Sequence, residues 1–258
     1  MKPVQPASAP DRLRQFLTVV AILGSFTVNT LSNIYPLNGA NVGQISNTRF
    51  ADVLITPANY AFAIWGLIYL SLLGFIVYQF LPTAKQHPRL SPISYLLVLA
   101  CLAQSLWIYL FQSLAFGWSV LAMLAILLCL IGIYQILGKV PRSRPWQEKW
   151  LLRYPFSVYL GWIAVATVVN VATALYDAQW DGWGLTPVTW TVGMLTVSSV
   201  IPVSLLLQRR DVALALVFVW AFVAIALKRS DNLPIFAVAL GLALLIAGLS
   251  AWKLRPTL

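Results

Sequence analysis

Long apolar stretches divide this chain from end to end, and each is bounded by charged residues, Pro or Gly. A helix of about 20 apolar residues crosses the hydrocarbon core of a bilayer. Of the 258 residues, 60% are hydrophobic and 9% are charged, and the polar segments between the stretches are too short for a separate soluble core. The sequence therefore predicts an all-α, polytopic membrane helical bundle. Its predicted transmembrane helices cover residues 16–34, 57–80, 93–113, 117–138, 154–176, 188–208, 212–227 and 234–252.

The distribution of basic residues tests this number of helices. If the chain crosses the membrane at each stretch, 14 of the 17 Lys and Arg residues lie on one side, and only Arg49, Lys228 and Arg229 lie on the other. Cytoplasmic loops are enriched in Lys and Arg, and an odd number of crossings would destroy the alternation. We therefore expect a multi-pass protein of the bacterial plasma membrane with eight crossings and both termini in the cytoplasm. The net charge of +10 then reflects contacts with the lipid bilayer, and nucleic-acid binding is not expected.

Ionisable residues are missing from the interior of every predicted helix. The only histidine, His87, lies in a loop, and Cys101 and Cys129 lie within apolar stretches as small packing residues. Proton-coupled transporters and intramembrane hydrolases need ionisable groups at depth. The sequence therefore predicts no catalytic residue, no metal site and no required cofactor, and the protein is not expected to be an enzyme.

The fifth stretch carries one polar face. Trp162, Ala166, Val169 and Thr173 recur at helical spacing, and Asn170 lies beside them. An Asn carboxamide without partners is costly in hydrocarbon, so this face should point into protein or into a cavity. Two interpretations stay open: hydrogen bonding between helices, and the wall of a ligand pocket.

Aromatic and amide side chains also mark the second and third stretches. Trp65 and Tyr69 share a face about two turns or more below the start of the second helix, deeper than the usual interfacial belt. The third stretch carries three side chains that we expect to be buried, Gln104, Trp107 and Gln112. The two buried carboxamides need hydrogen-bond partners. Such stripes are typical of core packing, but indoles and amides at depth also suit a large, flat, mostly apolar ligand.

Three short motifs carry a family resemblance. Residues 65–69 are Trp-Gly-Leu-Ile-Tyr, residues 104–107 are Gln-Ser-Leu-Trp, and residues 159–170 are Tyr-Leu-Gly-Trp-Ile-Ala-Val-Ala-Thr-Val-Val-Asn. In spacing they resemble the second, third and fifth helices of the TspO/MBR family, the tryptophan-rich sensory or translocator proteins. Gln104 stands where that family has Asn.

The resemblance implies a five-helix bundle over residues 1–176. The three further helices, over residues 177–258, are expected to pack on it within one integral membrane domain. The resemblance also implies a hydrophobic small-molecule ligand such as porphyrin or haem, and a homodimer. The chain departs from the family in those three helices, in its first outer loop, in the reduced Pro and Trp content before Trp65, and in lacking a cholesterol-recognition pattern after Asn170. The expected ligand-binding residues are Trp65, Tyr69, Gln104, Trp107, Trp162, Ala166 and Asn170.

The leading hypothesis is a receptor or carrier in which the three tryptophans stack on the ligand while Gln104 and Asn170 hydrogen-bond its polar edge. One alternative is a transporter of a neutral or amphipathic metabolite, suggested by eight helices and the break at Pro202. Another is an eight-span hydrolase of membrane lipids, but that class uses carboxylates within the membrane, and this sequence has none there. The long outer loop, residues 35–56, is interpreted either as a lid or as a plain connector.

Overall fold

The structure, a computed structural model, describes residues 9–85, 87, 89–138 and 146–255. Within these ranges the chain is helical and contains no strand. The short helices are α2 (Val42–Thr48), α4 (Pro82–Lys85) and α7 (Trp146–Glu148), with 3₁₀ turns at Asn59–Ala63 and Gly182–Gly184 and a π-helical turn at Lys149–Arg153. The long helices are α1 (Ala9–Ile34), α3 (Ile64–Phe80), α5 (Leu90–Gln112), α6 (Phe116–Gly138), α8 (Tyr154–Asp177), α9 (Pro187–Arg209), α10 (Val212–Lys228) and α11 (Leu233–Leu254).

The eight long helices coincide with the eight predicted stretches, and the all-α, polytopic architecture is confirmed. Helix α3 begins at Ile64 and not at residue 57, because a 3₁₀ turn at Asn59–Ala63 precedes it, and α1 begins at Ala9 and not at residue 16. There the polar first turns are stabilised inside the protein, because buried Arg14 donates a hydrogen bond to Ser94 Oγ across 3.1 Å. Four of the basic residues counted in the charge prediction, Lys2, Lys139, Arg142 and Arg144, lie outside the described residues.

Seven of the described helices are long and apolar enough to cross a membrane, and α10, with 17 residues, is the shorter one. Its length of about 26 Å is close to the roughly 30 Å hydrocarbon core. At one end Asp211 accepts a hydrogen bond from Ser157 Oγ, across 2.7 Å, at the start of α8. At the other end Lys228 Nζ donates to Asn47 Oδ1 of α2, also across 2.7 Å. Because these contacts lie at opposite ends of the bundle, α10 spans it like the other seven helices. The cytoplasmic location of the termini stays a prediction.

Helix α8 lies at the centre of the bundle and packs against α3, α6, α9 and α10. Its contact with α10 depends on Gly161. A Cβ atom added at this glycine would lie 3.1 Å from Val217 Cβ and 3.2 Å from the carbonyl oxygen of Leu214. This close approach joins the three C-terminal helices to the five that precede them. The division at residue 176 stays a prediction.

Helix α11 carries Ala239 and Ala243 one turn apart, on a side that packs inside the chain. Both are buried, and α11 contacts α9 and α10. Neither alanine is available for contact with a second copy of the chain. The homodimer therefore stays a prediction without support from this helix.

Candidate functional site

An aromatic cavity of about 40 Å³ lies between four helices, α2, α5, α8 and the beginning of α3 with the 3₁₀ turn before it. No ionisable side chain lines it. Its lining is formed by Val42, Ser46, Pro57, Phe62, Trp65, Trp107, Phe111, Trp162, Val165, Ala166, Val169, Asn170 and Thr173.

Five of the seven residues predicted to bind a ligand line this cavity: Trp65, Trp107, Trp162, Ala166 and Asn170. They come from three helices that are far apart in sequence. The side chain of Trp162 is buried, so the polar face of α8 does not point toward lipid.

The two other predicted residues, Tyr69 and Gln104, do not line the cavity. The ring of Tyr69 stacks on Trp65, with centroids 5.8 Å apart, and its hydroxyl donates to the carbonyl oxygen of Ser25 across 3.3 Å. Tyr159 contacts the edge of the Trp65 ring from α8, with centroids 6.0 Å apart. Tyr69 and Tyr159 therefore hold Trp65 in position and lie one layer away from the cavity.

Asn170 joins three helices. Its Oδ1 accepts a hydrogen bond from Trp107 Nε1 across 2.6 Å, and its Nδ2 donates to Ser119 Oγ across 3.0 Å. The Ser119 hydroxyl also lies 2.7 Å from the carbonyl oxygen of Phe116, which accepts from it. Helices α5, α6 and α8 are therefore connected through one buried amide. The interpretation as hydrogen bonding between helices is therefore seen in these contacts. Asn170 also borders the cavity, and its role in a ligand pocket stays a prediction.

The indole N–H of Trp162 is buried at the cavity wall and has no hydrogen-bond partner among the described residues. The Trp162 ring packs edge-on against Phe62, with centroids 6.0 Å apart. An unsatisfied buried donor costs about 1–3 kcal/mol, and most buried polar groups avoid this cost. A donor left open beside a cavity is available to an acceptor that enters it.

The two amides of α5 have different surroundings. Gln112 is satisfied, because it donates to the carbonyl oxygen of Ser32 across 2.7 Å and accepts from the backbone N–H of Leu37 across 3.3 Å. Neither the oxygen nor the nitrogen of the buried Gln104 side chain has a partner among the described residues. Gln112 therefore connects the outer ends of α1 and α5, whereas Gln104 has no structural role that its contacts explain.

Helix α2 forms the outer wall of the cavity through Val42 and Ser46. The sequence left the loop containing it open as a lid or a connector, and the structure places it against the cavity. Asn41 and Gln44 form a capping box at its start, with hydrogen bonds of 2.9 and 2.8 Å. This Asn-x-x-Gln pattern before Ile45 is the signal that would have predicted α2.

The end of α10 holds the segment that follows α2. Arg229 donates to the carbonyl oxygens of Ala51, Val53 and Leu54 across 2.7, 3.1 and 3.1 Å. Burial lowers the pKa of the Arg229 guanidinium from its ordinary value, while Asp231 and Asp52 oppose that effect. The C-terminal helices therefore fix the outer wall of a cavity that is otherwise built by the first five.

Within the part of the chain that the structure describes, no cluster of His, Cys, Asp or Glu side chains could hold a metal ion. The cavity offers indole and phenyl faces, one open N–H donor and an amide that is already engaged. Such a lining is suited to contact by shape and stacking.

The chain matches the family model described as TSPO-like protein over residues 15–252. The match continues beyond residue 176, where the recognised motifs end, so α9, α10 and most of α11 are part of what the family shares. Comparison with curated proteins and with solved structures finds no match. Proteins of this family are generally receptor or transport proteins. The apolar helices and the family match together identify an integral membrane protein of the TspO type. The chain belongs to the TSPO-like protein family.

Proposed function

We propose that the protein is a membrane receptor or carrier that binds a flat, largely apolar ligand of the tetrapyrrole class between Trp65, Trp107 and Trp162. The observation that carries this proposal is the buried, unpartnered indole N–H of Trp162 at the wall of an aromatic cavity. The indole faces provide stacking for a planar ring, and the N–H provides one directional contact to a carboxylate or carbonyl oxygen. The family match supports a receptor or a carrier.

Ligand entry requires the cavity to open. A volume of about 40 Å³ has room for about three water molecules at roughly 10–15 Å³ each. Pockets for drug-sized ligands have volumes of about 300–1,000 Å³, and a macrocycle needs a pocket of that size. The described structure is therefore the closed form of the site.

Helix α2 is the wall that moves. It has seven residues, whereas most of the other lining residues belong to the long helices α3, α5 and α8. Short elements with few buried apolar contacts open at a lower free energy than core helices. Displacing Val42 and Ser46 outward exposes Trp162 and Trp65 without separating α5 from α8, which Asn170 holds together.

Titration of the detergent-solubilised protein with protoporphyrin, followed by tryptophan quenching and by the porphyrin absorption band, tests this proposal. Trp162→Phe keeps an aromatic ring but removes the N–H donor, and we expect it to weaken binding about five- to tenfold. The matched control is Trp118→Phe, because Trp118 is 68% exposed on α6 and lies outside the cavity. Equal affinities of the wild type and Trp162→Phe, or an equal loss in the control, contradict the proposed pocket.

A further inference from the structure

A second concave region, separate from the aromatic cavity, opens on the side of the bundle. It is an apolar groove of about 650 Å³ between α3, α8 and α10. Leu67 on α3 and Leu216 on α10 line it and are 54% and 48% exposed, so the groove opens toward the hydrocarbon of the bilayer. Along α10 it extends from Trp220 to Val212, about 12 Å at 1.5 Å per residue.

A polar cavity of about 640 Å³ adjoins one end of this groove. Tyr154, Val212 and Leu254 line both the groove and the cavity, so the two lie side by side and together are called the depression. Trp150 borders the groove near this junction and is 59% exposed. Exposed Trp and Tyr side chains are typical of the membrane–water interface, so the junction lies at the headgroup level.

The polar cavity is strongly basic. Its lining contains five basic side chains and one acidic side chain, Asp211. Asp211 caps α10 and accepts a hydrogen bond from Ser157, so it is engaged within the protein. Glu148, beside the cavity, pairs with Arg153 across 3.2 Å. With both carboxylates counted, the described side chains at the cavity carry an excess of three positive charges. The basic residues are Lys149, Arg153, Arg209, Arg210 and Lys253.

Two of these basic side chains, Arg209 and Lys149, have ring contacts that position them. The guanidinium of Arg209 packs against Gly138, where a side chain would not fit, because a Cβ atom added there would lie 2.5 Å from Arg209 Nη1. The guanidinium of Arg209 lies over the ring of Tyr134, 4.8 Å from its centroid. The ammonium group of Lys149 lies 5.5 Å from the centroid of Tyr154 at the junction. A positive cavity is therefore built into the protein where α8, α9, α10 and α11 end or begin.

We propose that this depression binds one anionic diacyl phospholipid, with its phosphate in the basic cavity and one acyl chain in the apolar groove. The charge excess selects an anionic headgroup, and basic pockets between transmembrane helices are suited to such headgroups. The adjoining groove distinguishes a lipid from a free anion, because only a lipid covers the exposed leucines of α3 and α10. Most of the basic residues that the structure describes lie at this end of the bundle, so the lipid belongs to the cytoplasmic leaflet.

Native mass spectrometry of the full chain tests the proposal, with phosphatidylglycerol and phosphatidylcholine of identical acyl chains as probes. We expect the wild type to retain phosphatidylglycerol at least fivefold more strongly than phosphatidylcholine. The double variant Lys149→Gln/Lys253→Gln should bind phosphatidylglycerol with about tenfold lower affinity than the wild type. Its matched control, Arg12→Gln/Arg255→Gln, removes the same charge from exposed residues outside the cavity. This control should bind phosphatidylglycerol as strongly as the wild type.

The groove has its own variant. Leu216→Trp fills it and should weaken phosphatidylglycerol binding severalfold, whereas Leu128→Trp, on an exposed position of α6 outside the groove, should not. Glycerol phosphate, the soluble headgroup, should not displace the bound lipid. Equal retention of the two lipids, equal loss in site and control variants, or full displacement by glycerol phosphate overturns the proposal. Lys149→Gln alone alters one exposed side chain and serves as the site variant if the double variant does not fold.

Discussion

Trp107 on α5 donates its indole N–H to the side-chain oxygen of Asn170 on α8 across 2.6 Å. Both side chains border the aromatic cavity, and both are buried. The hydrogen bond fixes the orientation of one indole wall relative to the helix that carries Trp162. The indole N–H of Trp107 therefore has a hydrogen-bond acceptor, whereas that of Trp162 has none among the described residues. This difference makes the two indoles distinguishable by experiment.

Replacing Asn170 with Leu should destabilise the protein. The substitution leaves Trp107 Nε1 without its acceptor in a buried site, and loss of a buried hydrogen bond of this kind costs about 1–3 kcal/mol. Thermal unfolding in detergent should show a lower midpoint. The control is Asn33→Leu, because Asn33 is exposed and donates only to the carbonyl oxygen of Asn29 within its own helix. An Asn170→Leu variant as stable as the control would show that the hydrogen bond does not hold α5 and α8 together.

Gly161→Ala should separate α8 from α10. The added methyl group meets the backbone oxygen of Leu214 at 3.2 Å and Val217 at 3.1 Å, and a backbone atom cannot move aside as a side chain does. Overpacking of this kind costs about 1–3 kcal/mol. Gly66→Ala is the matched control in a helix, since nothing lies within 4 Å of its added Cβ, and better helix propensity should leave stability equal or higher. Equal unfolding midpoints for Gly161→Ala and the wild type would contradict the close packing.

Arg229→Leu should loosen the segment that follows α2, the short helix that lines the aromatic cavity. The substitution removes the hydrogen bonds to the carbonyl oxygens of Ala51, Val53 and Leu54. Hydrogen–deuterium exchange of residues 42–54 should become at least tenfold faster, while exchange in α5 and α8 should change little. Arg255→Leu, an exposed residue after α11, serves as the control. Unchanged exchange in residues 42–54 would show that α10 does not hold this wall.

Arg49→Gln should have little effect on stability. Its ion pair with Asp177, at 3.0 Å, has side chains that are 51% and 32% exposed. Exposed ion pairs contribute about 0–1 kcal/mol because water and salt screen them. The unfolding midpoint should therefore stay close to that of the wild type. A loss as large as that of Gly161→Ala would mean that this ion pair, and not Arg229, holds the outer loop.

The sequence predicted the long helices well because their length and hydrophobicity are local properties of the chain. Helical spacing also identified the face of α8 that borders the cavity. It did not identify the neighbour of each side chain, because that depends on how helices pack. Tyr69 shares a helical face with Trp65, yet its ring stacks on the indole one layer from the cavity. The walls formed by Val42 and Ser46 were missed because α2 is short and lies in a polar loop.

The indole N–H of Trp162 offers the most direct test of the proposed pocket. In the detergent-solubilised protein labelled with ¹⁵N-tryptophan, its NMR resonance is assigned by its loss in Trp162→Phe. Saturation with protoporphyrin should shift this resonance, because the open donor gains an acceptor, while that of exposed Trp118 stays unchanged. If porphyrin binds and the Trp162 resonance does not move, the ligand lies elsewhere and the cavity is part of the packed core.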